Sequence, residues 1–298
     1  MKKISIFLLI ATLFFAGCDD DNGFYSDIKS GGVWMKMGDG MIVGTSDIDY
    51  YDASTCTFYL KKDLPYLKNV FQGGSFSVYV DNTEIYKCNF IPVYSSSIPI
   101  GTYAYCSPFM YPDFILSIGF SSFSSDENNT IKDPRNDIRI INALKKYGQY
   151  HEGLSFEIQS VTKMNDKIIM NAELYNPDTF DYYFLDPDKM GIGLFHYFTN
   201  GLSMYDSNNK LNFSNNETII SPEPWDSWDI KWMSLIKNGE RKKITLEYNN
   251  FEEIPAGYYH VFFSFPGLSY QIKQKEKNQV GGRIWLGNIY VTKDFIIE

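Results

Sequence analysis

Three of the five tryptophans, Trp225, Trp228 and Trp232, fall within eight residues and are interleaved with Asp226 and Asp229. On a helix this i, i+3, i+7 spacing puts all three rings on one face. An exposed stripe of that kind stacks on sugar rings while the two carboxylates accept hydroxyl hydrogen bonds, so the five residues form a candidate glycan platform. The same period describes a segment that buries its ring face, and an aromatic stripe at helical spacing is more often core. Other chemistry-bearing residues do not gather. His151, His196 and His260 are dispersed and show no His-x-His or His-Glu-x-x-His spacing. Asp186-Pro187-Asp188 and Asp206-Ser207-Asn208 offer oxygens to a cation but lack the glycine and distal glutamate of a calcium loop, so they read as turns. Glu252-Glu253 is an acid pair in a chain where acids are plentiful. Gly-x-Ser-x-Gly, P-loop and dinucleotide motifs are missing. No catalytic residue, metal or cofactor is expected, and the chain is not expected to be an enzyme.

The four cysteines divide by position. Cys56, Cys88 and Cys106 lie in strand-like runs with no Cys-x-x-Cys, an odd set that allows at most one bridge and reads by default as buried small hydrophobes. Cys18 is different. Lys2 and Lys3 precede an apolar run from Ile4 to Ala16, whose ~20 Å of helix is too short for a ~30 Å hydrocarbon core. The run reads as a cleaved signal segment, and Ala16-Gly17 are the small residues a signal peptidase needs before its cut.

Ala16-Gly17-Cys18 after such a run resembles the lipobox of bacterial lipoproteins. The resemblance implies loss of residues 1–17 and acyl chains, palmitate among them, on Cys18. Two or more chains hold a protein stably at a membrane. Asp19-Asp20-Asp21 resembles the surface-export signal of Bacteroides-type lipoproteins, which implies display on the outer face of an outer membrane. Three contiguous acids also suit a solvated spacer. Residues 18–32 are polar and Gly-rich, a flexible tether.

The elements that must carry these residues follow. Cleavage of 17 of the 298 residues leaves 281, enough for two domains. The formal charge of −9 becomes about −11 without Lys2 and Lys3, which disfavours nucleic acid as a partner. Twenty-three Tyr and 23 Phe favour strands over helices. Alternating runs at Ser54–Leu60, Ser75–Val80, Thr83–Tyr86, Ser97–Tyr103 and Phe114–Phe120 are punctuated by turn signals such as Asp81-Asn82. The period then changes. Asp133 and Pro134 read as a helix start, Ile138, Ile141, Leu144 and Tyr147 as its apolar stripe, and Gly148 as its stop. Strands resume at Leu154–Ile158, Lys167–Leu174, Leu202–Tyr205, Arg241–Tyr248, Tyr258–Phe265 and Ile284–Ile297. The expected fold is all-β: two immunoglobulin-like sandwiches, 33–132 and 149–298, joined by an amphipathic helix over 133–148. The helix packs on one sandwich or wedges between both.

A repeat supports the duplication. Ile98-Pro99-Ile100-Gly101-Thr102-Tyr103 matches Ile254-Pro255-Ala256-Gly257-Tyr258-Tyr259. Each looks like the corner before strand F of immunoglobulin-like sandwiches, where a Tyr hydroxyl bonds back to the backbone. Tyr103 lies three residues before Cys106 rather than two, which flips the face. Asn176-Pro177, Leu185-Asp186-Pro187, Gly201 to Asp206, Asn238-Gly239-Glu240 and Pro255-Ala256-Gly257 occur in the order of immunoglobulin-like sandwiches of the intracellular proteinase inhibitor type, over about 153–268. That resemblance implies fold, not inhibition. The expected function is a membrane-anchored binding or adhesin-like module for glycan or protein. The alternative is a structural subunit of an envelope assembly, with a hydrolase behind both.

Overall fold

The computed structural model describes residues 27–64, 74–92, 94–106, 111–122, 132–165, 167–199, 201–208, 218–249, 254–268 and 272–298. Cys18, Asp19, Asp20 and Asp21 lie outside the described residues, as do Glu252 and Glu253. The fold is all-β, with few and short helices.

In the first half, Val33–Met37 alternates buried Val33, Met35 and Met37 with Trp34 and Lys36, the period-2 pattern of a half-buried strand. It pairs with Ile42–Val43 on one side and Gly74–Val80 on the other, and the sheet continues through Thr83–Pro92 and Gly101–Cys106 to Gly119–Ser121. The hairpin between Gly74–Val80 and Thr83–Pro92 turns at Asp81, whose φ of 52° is the left-handed conformation that Asp tolerates. A second sheet runs Tyr150–His151, Ile48–Asp52, Thr57–Leu60, Ile115–Ser117. Cys56 and Cys88 are buried free thiols.

The helix spans Ile138–Lys146 and begins four residues later than Asp133 signals. Asp137 is the N-cap and accepts from Arg139 N at 2.9 Å. Asp133 instead holds Arg135, and Pro134 sits in the turn that precedes the cap. The stop is as expected: Gly148, at φ 65°, donates to Lys145 O while Gln149 donates to Leu144 O, the paired bonds of a Schellman end. Ile140, Ala143 and Leu144 are buried, whereas Ile138 is 64% exposed, so the apolar stripe is rotated from the expected one. The helix lies on Val33–Met37 and Gly74–Val80 and does not wedge between the halves. Lys146 Nζ and the Tyr147 hydroxyl both donate to Ser30 O at 2.7 Å, which seats the segment before Val33 against the helix. Tyr150–His151 then pairs in parallel with Tyr51–Asp52, so these residues extend a first-half sheet.

The second half carries three sheets: Ser155–Met164, Lys167–Tyr175, Arg241–Tyr248; then Met233–Ile236, Tyr182–Leu185, Gly282–Ile284, Asn278–Gln279; and Leu202–Asp206, Gly257–Phe265, Ile289–Ile297. Phe265 ties them together, stacked on Phe156 at 4.6 Å and within 6.3 Å of Phe184 and Phe195. The apolar run after Gly191 is a helix, Ile192–Thr199, and Asp186-Pro187 caps a short helix, Pro187–Met190, rather than closing a simple turn. Gly101 and Gly257 both open strands, as the repeat expects. Tyr259 is buried and its hydroxyl donates to Pro255 O at 2.9 Å. Tyr103, its counterpart, faces the opposite way: Thr102 and Ala104 are buried and Tyr105 is exposed.

Buried residues of both halves form one continuous hydrophobic cluster. A polar seam crosses it. Asp52 accepts from Trp285 Nε1 at 3.1 Å and from Ser54 N and Oγ. His151 Nδ1 is 2.8 Å from Asp178, which also accepts from Gly153 N and the Tyr182 hydroxyl. Lys277, 2% exposed, pairs with Asp49 at 2.6 Å, and the Arg283 guanidinium lies 3.9 Å from the Phe180 ring and 4.9 Å from that of Tyr50.

Candidate functional site

Between the halves lies a cleft of about 340 Å³. One wall is the Ser54–Thr57 turn with Tyr103, Tyr111, Ser117, Gly119, Phe120 and Arg135; the other is the segment from Leu286 to Tyr290. The seam sets the walls: Trp285 bonds to Asp52, two residues before Ser54, and so brings Gly287, Asn288 and Tyr290 opposite that turn.

The sequence builds each wall locally. Tyr103 and Tyr105 are two apart on one strand, so both project from the same face, where their rings meet edge to face at 5.3 Å. Tyr103 pairs with Gly119 of the neighbouring strand, and its ring occupies the space above that glycine: a Cβ there would lie 2.6 Å from Tyr103 Cε2. Tyr111 bonds to the Ser117 hydroxyl, and Ser117 Oγ also meets Thr57 Oγ1 at 3.2 Å. On the far wall, Ser264 bonds to Asn288, and Asn288 Nδ2 points at the Tyr290 hydroxyl at 3.5 Å.

Electrostatically the cleft is balanced. Burial raises the pKa of Tyr103 and Tyr111, so both are neutral hydroxyls that donate and accept. Arg135 is the one cation among the described residues of the lining, and Asp133 meets it through Nε at 2.9 Å and Nη2 at 2.7 Å. Burial works against both charges, and these hydrogen bonds outweigh it, holding Asp133 low and Arg135 high. The third guanidinium nitrogen donates to Ile118 O, so the arginine is a fixed strut beside Phe120. The described lining holds no carboxylate and no imidazole. It offers ring faces, hydroxyls and one amide, which suits binding of a neutral polyhydroxylated molecule.

The tryptophan segment is arranged differently from the expected stripe. Pro222 and Pro224 precede it, no α-helix forms, and the only regular piece is a 3-10 turn, Ile230–Trp232. Trp225 is 51% exposed, whereas Trp228 and Trp232 pack against the core, so the three rings do not share an open face. Asp229 accepts from Lys231 N as a turn cap, and Asp226 is exposed. The five residues are not brought together as a platform.

The cleft residues are not adjacent in the sequence: they come from six separated stretches. The one local signal was Tyr103-Ala104-Tyr105, two aromatics on one face of a strand in inverted phase with its repeat. Among the described residues no group of three or more His, Cys, Asp or Glu could hold a metal ion, and no helix is long and apolar enough to cross a membrane.

No family model matches the chain, and no curated protein matches it. Three chains of solved structures match. One is described as beta-glucosidase from Kluyveromyces marxianus in complex with glucose, at 16% identity over 49% of this chain and 14% of that chain, with a TM-score of 0.19. A likeness of that size assigns neither fold nor activity.

Proposed function

We propose that this chain is a lipid-anchored surface protein of two immunoglobulin-like sandwiches that binds glycan, without turning it over, in the tyrosine-lined cleft between them. The observation that carries the reading is the lining itself: Tyr103, Tyr111 and Tyr290 as neutral amphipathic rings, Asn288, Ser54 and Ser117 as hydrogen-bonding partners, and an arginine already neutralised by Asp133. A sugar presents an aliphatic face and a rim of hydroxyls, and such a cleft meets both. The anchor is carried by Ala16-Gly17-Cys18 and the outward placement by Asp19, Asp20 and Asp21. Calorimetric titration of the lipoprotein in detergent with neutral oligosaccharides tests the binding: Tyr103→Ala weakens it about tenfold, and an unchanged affinity refutes the cleft as the site. For the anchor, labelled palmitate is incorporated by the wild type and not by Cys18→Ala, and equal incorporation refutes it.

A second reading, a subunit of an envelope assembly, is favoured by one observation. Ile219, Ile220, Trp225 and Ile230 are exposed near the Ile192–Thr199 helix, to which Ile220 N and the Trp225 carbonyl are hydrogen-bonded. Exposed apolar patches mark interaction surfaces. Chemical cross-linking of intact cells, with loss of adducts in Trp225→Ser, distinguishes it.

A further inference from the structure

We propose that the ligand is a chain of several neutral sugar units that leaves the cleft over Tyr290 and runs across the outer face of Gly257–Phe265 and Ile289–Ile297; this deepens the cleft reading and rests on it. The cleft alone is small, at the low end of the ~300–1,000 Å³ of small-molecule sites. It is not closed where Tyr290 stands, because that ring lines the cleft and is still 66% exposed.

Tyr290 is also the first outward residue of its strand. Alternation turns Tyr290, Thr292, Asp294 and Ile296 to one face, and Tyr258, His260 and Phe262 of the neighbouring strand to the same face. The register sets Phe262 opposite Thr292, His260 opposite Asp294 and Tyr258 opposite Ile296. The Phe262 ring lies 6.0 Å from that of Tyr290, tilted by 32°, so the aromatic surface continues from cleft to sheet. From Phe262 to Tyr258 is a further ~14 Å at ~3.4 Å per residue, well beyond the reach of a single sugar bound in the cleft.

The face is organised for a polar ligand. Asp294 accepts from His260 Nδ1 at 2.7 Å and from the Tyr258 hydroxyl, which fixes two rings through one carboxylate. Between Tyr290 and Ile296 this face presents one carboxylate, Asp294, and His260 is bonded to it. An apolar protein surface laid over it would desolvate the His260–Asp294 pair and the Thr292 hydroxyl for no new bond. A polyanion meets the overall −9 charge. A neutral sugar chain uses both halves of the surface, ring faces on Phe262 and Tyr258 and hydroxyls on the polar edge between them.

The test is calorimetric titration of the purified lipoprotein in detergent with linear malto-, cello-, xylo- and manno-oligosaccharides of one to six units. The expected result is affinity that rises at least tenfold from two units to six in one series. Phe262→Ala then lowers six-unit affinity about five- to tenfold and leaves two-unit affinity unchanged, Phe262→Tyr restores it, and Tyr103→Ala weakens both lengths. Affinity independent of length, or six-unit binding indifferent to Phe262→Ala while Tyr103→Ala still weakens it, overturns the path and leaves the cleft standing. No heat with any of the four series overturns both.

Discussion

Asp52 carries the clearest titration in the molecule. Burial pushes its carboxyl up to about 6, against the partial relief of hydrogen bonds from Ser54 and Trp285. Asp178 goes the other way: burial opposes its charge, but bonds from His151, Tyr182 and Gly153 hold it at about 2. The signs differ accordingly. Asp52 binds its proton more tightly folded than unfolded, so its contribution is complete below about pH 4 and is lost as pH rises through about 6. Asp178 contributes above about pH 4 and loses that contribution as pH falls through about 2. Thermal melts should therefore peak near pH 4, and Asp52→Asn should flatten the decline toward neutral pH, a limb worth about 3 kcal/mol at most. A melt profile with the same limb in Asp52→Asn contradicts the assignment. Nothing in the local sequence Asp49-Tyr50-Tyr51-Asp52 encodes this. Burial of Asp52 depends on Trp285, more than 200 residues away, and no local period encodes that contact.

At the scale of elements, turn and period signals served well where flanking residues agreed. Arg241–Tyr248 has its expected bounds, and Asp81 makes the left-handed turn that Asp81-Asn82 signals. The helix shows where signals compete. Asp133-Pro134 is the start the sequence signals, but Asp133 is held by Arg135 of the cleft wall and Asp137 caps the helix instead. Asp137→Ala should therefore cost about 1 kcal/mol of stability, measured by denaturant unfolding, without changing ligand affinity. Asp133→Ala should leave Arg135 uncompensated and lower affinity at the cleft; equal effects of the two variants would contradict the division of roles. The tryptophan stripe failed for a different reason. A 3.6 period has meaning only where a helix forms, and the regular structure of this segment is a three-residue 3-10 turn, Ile230–Trp232.

For the whole molecule, the all-β class and the strand-rich halves about one helix were readable from composition and alternation. How the halves meet was not. The halves meet through a polar seam set in a continuous core: Asp52 with Trp285, Lys277 with Asp49, and Arg283 over Tyr50 and Phe180. A buried pair that loses one partner leaves an uncompensated charge, so Asp49→Ala should cost about 3 kcal/mol and split a single unfolding transition into two, read by calorimetry. One transition at unchanged temperature would mean the halves are held by the apolar core alone. The central claim is that the cleft the seam creates is where glycan binds. Hydrogen exchange of the purified protein with and without a saturating six-unit neutral oligosaccharide tests this. The account predicts new protection at residues 101–106, 117–120 and 286–290; protection confined to residues 218–232 around Trp225, or none at all, would contradict it.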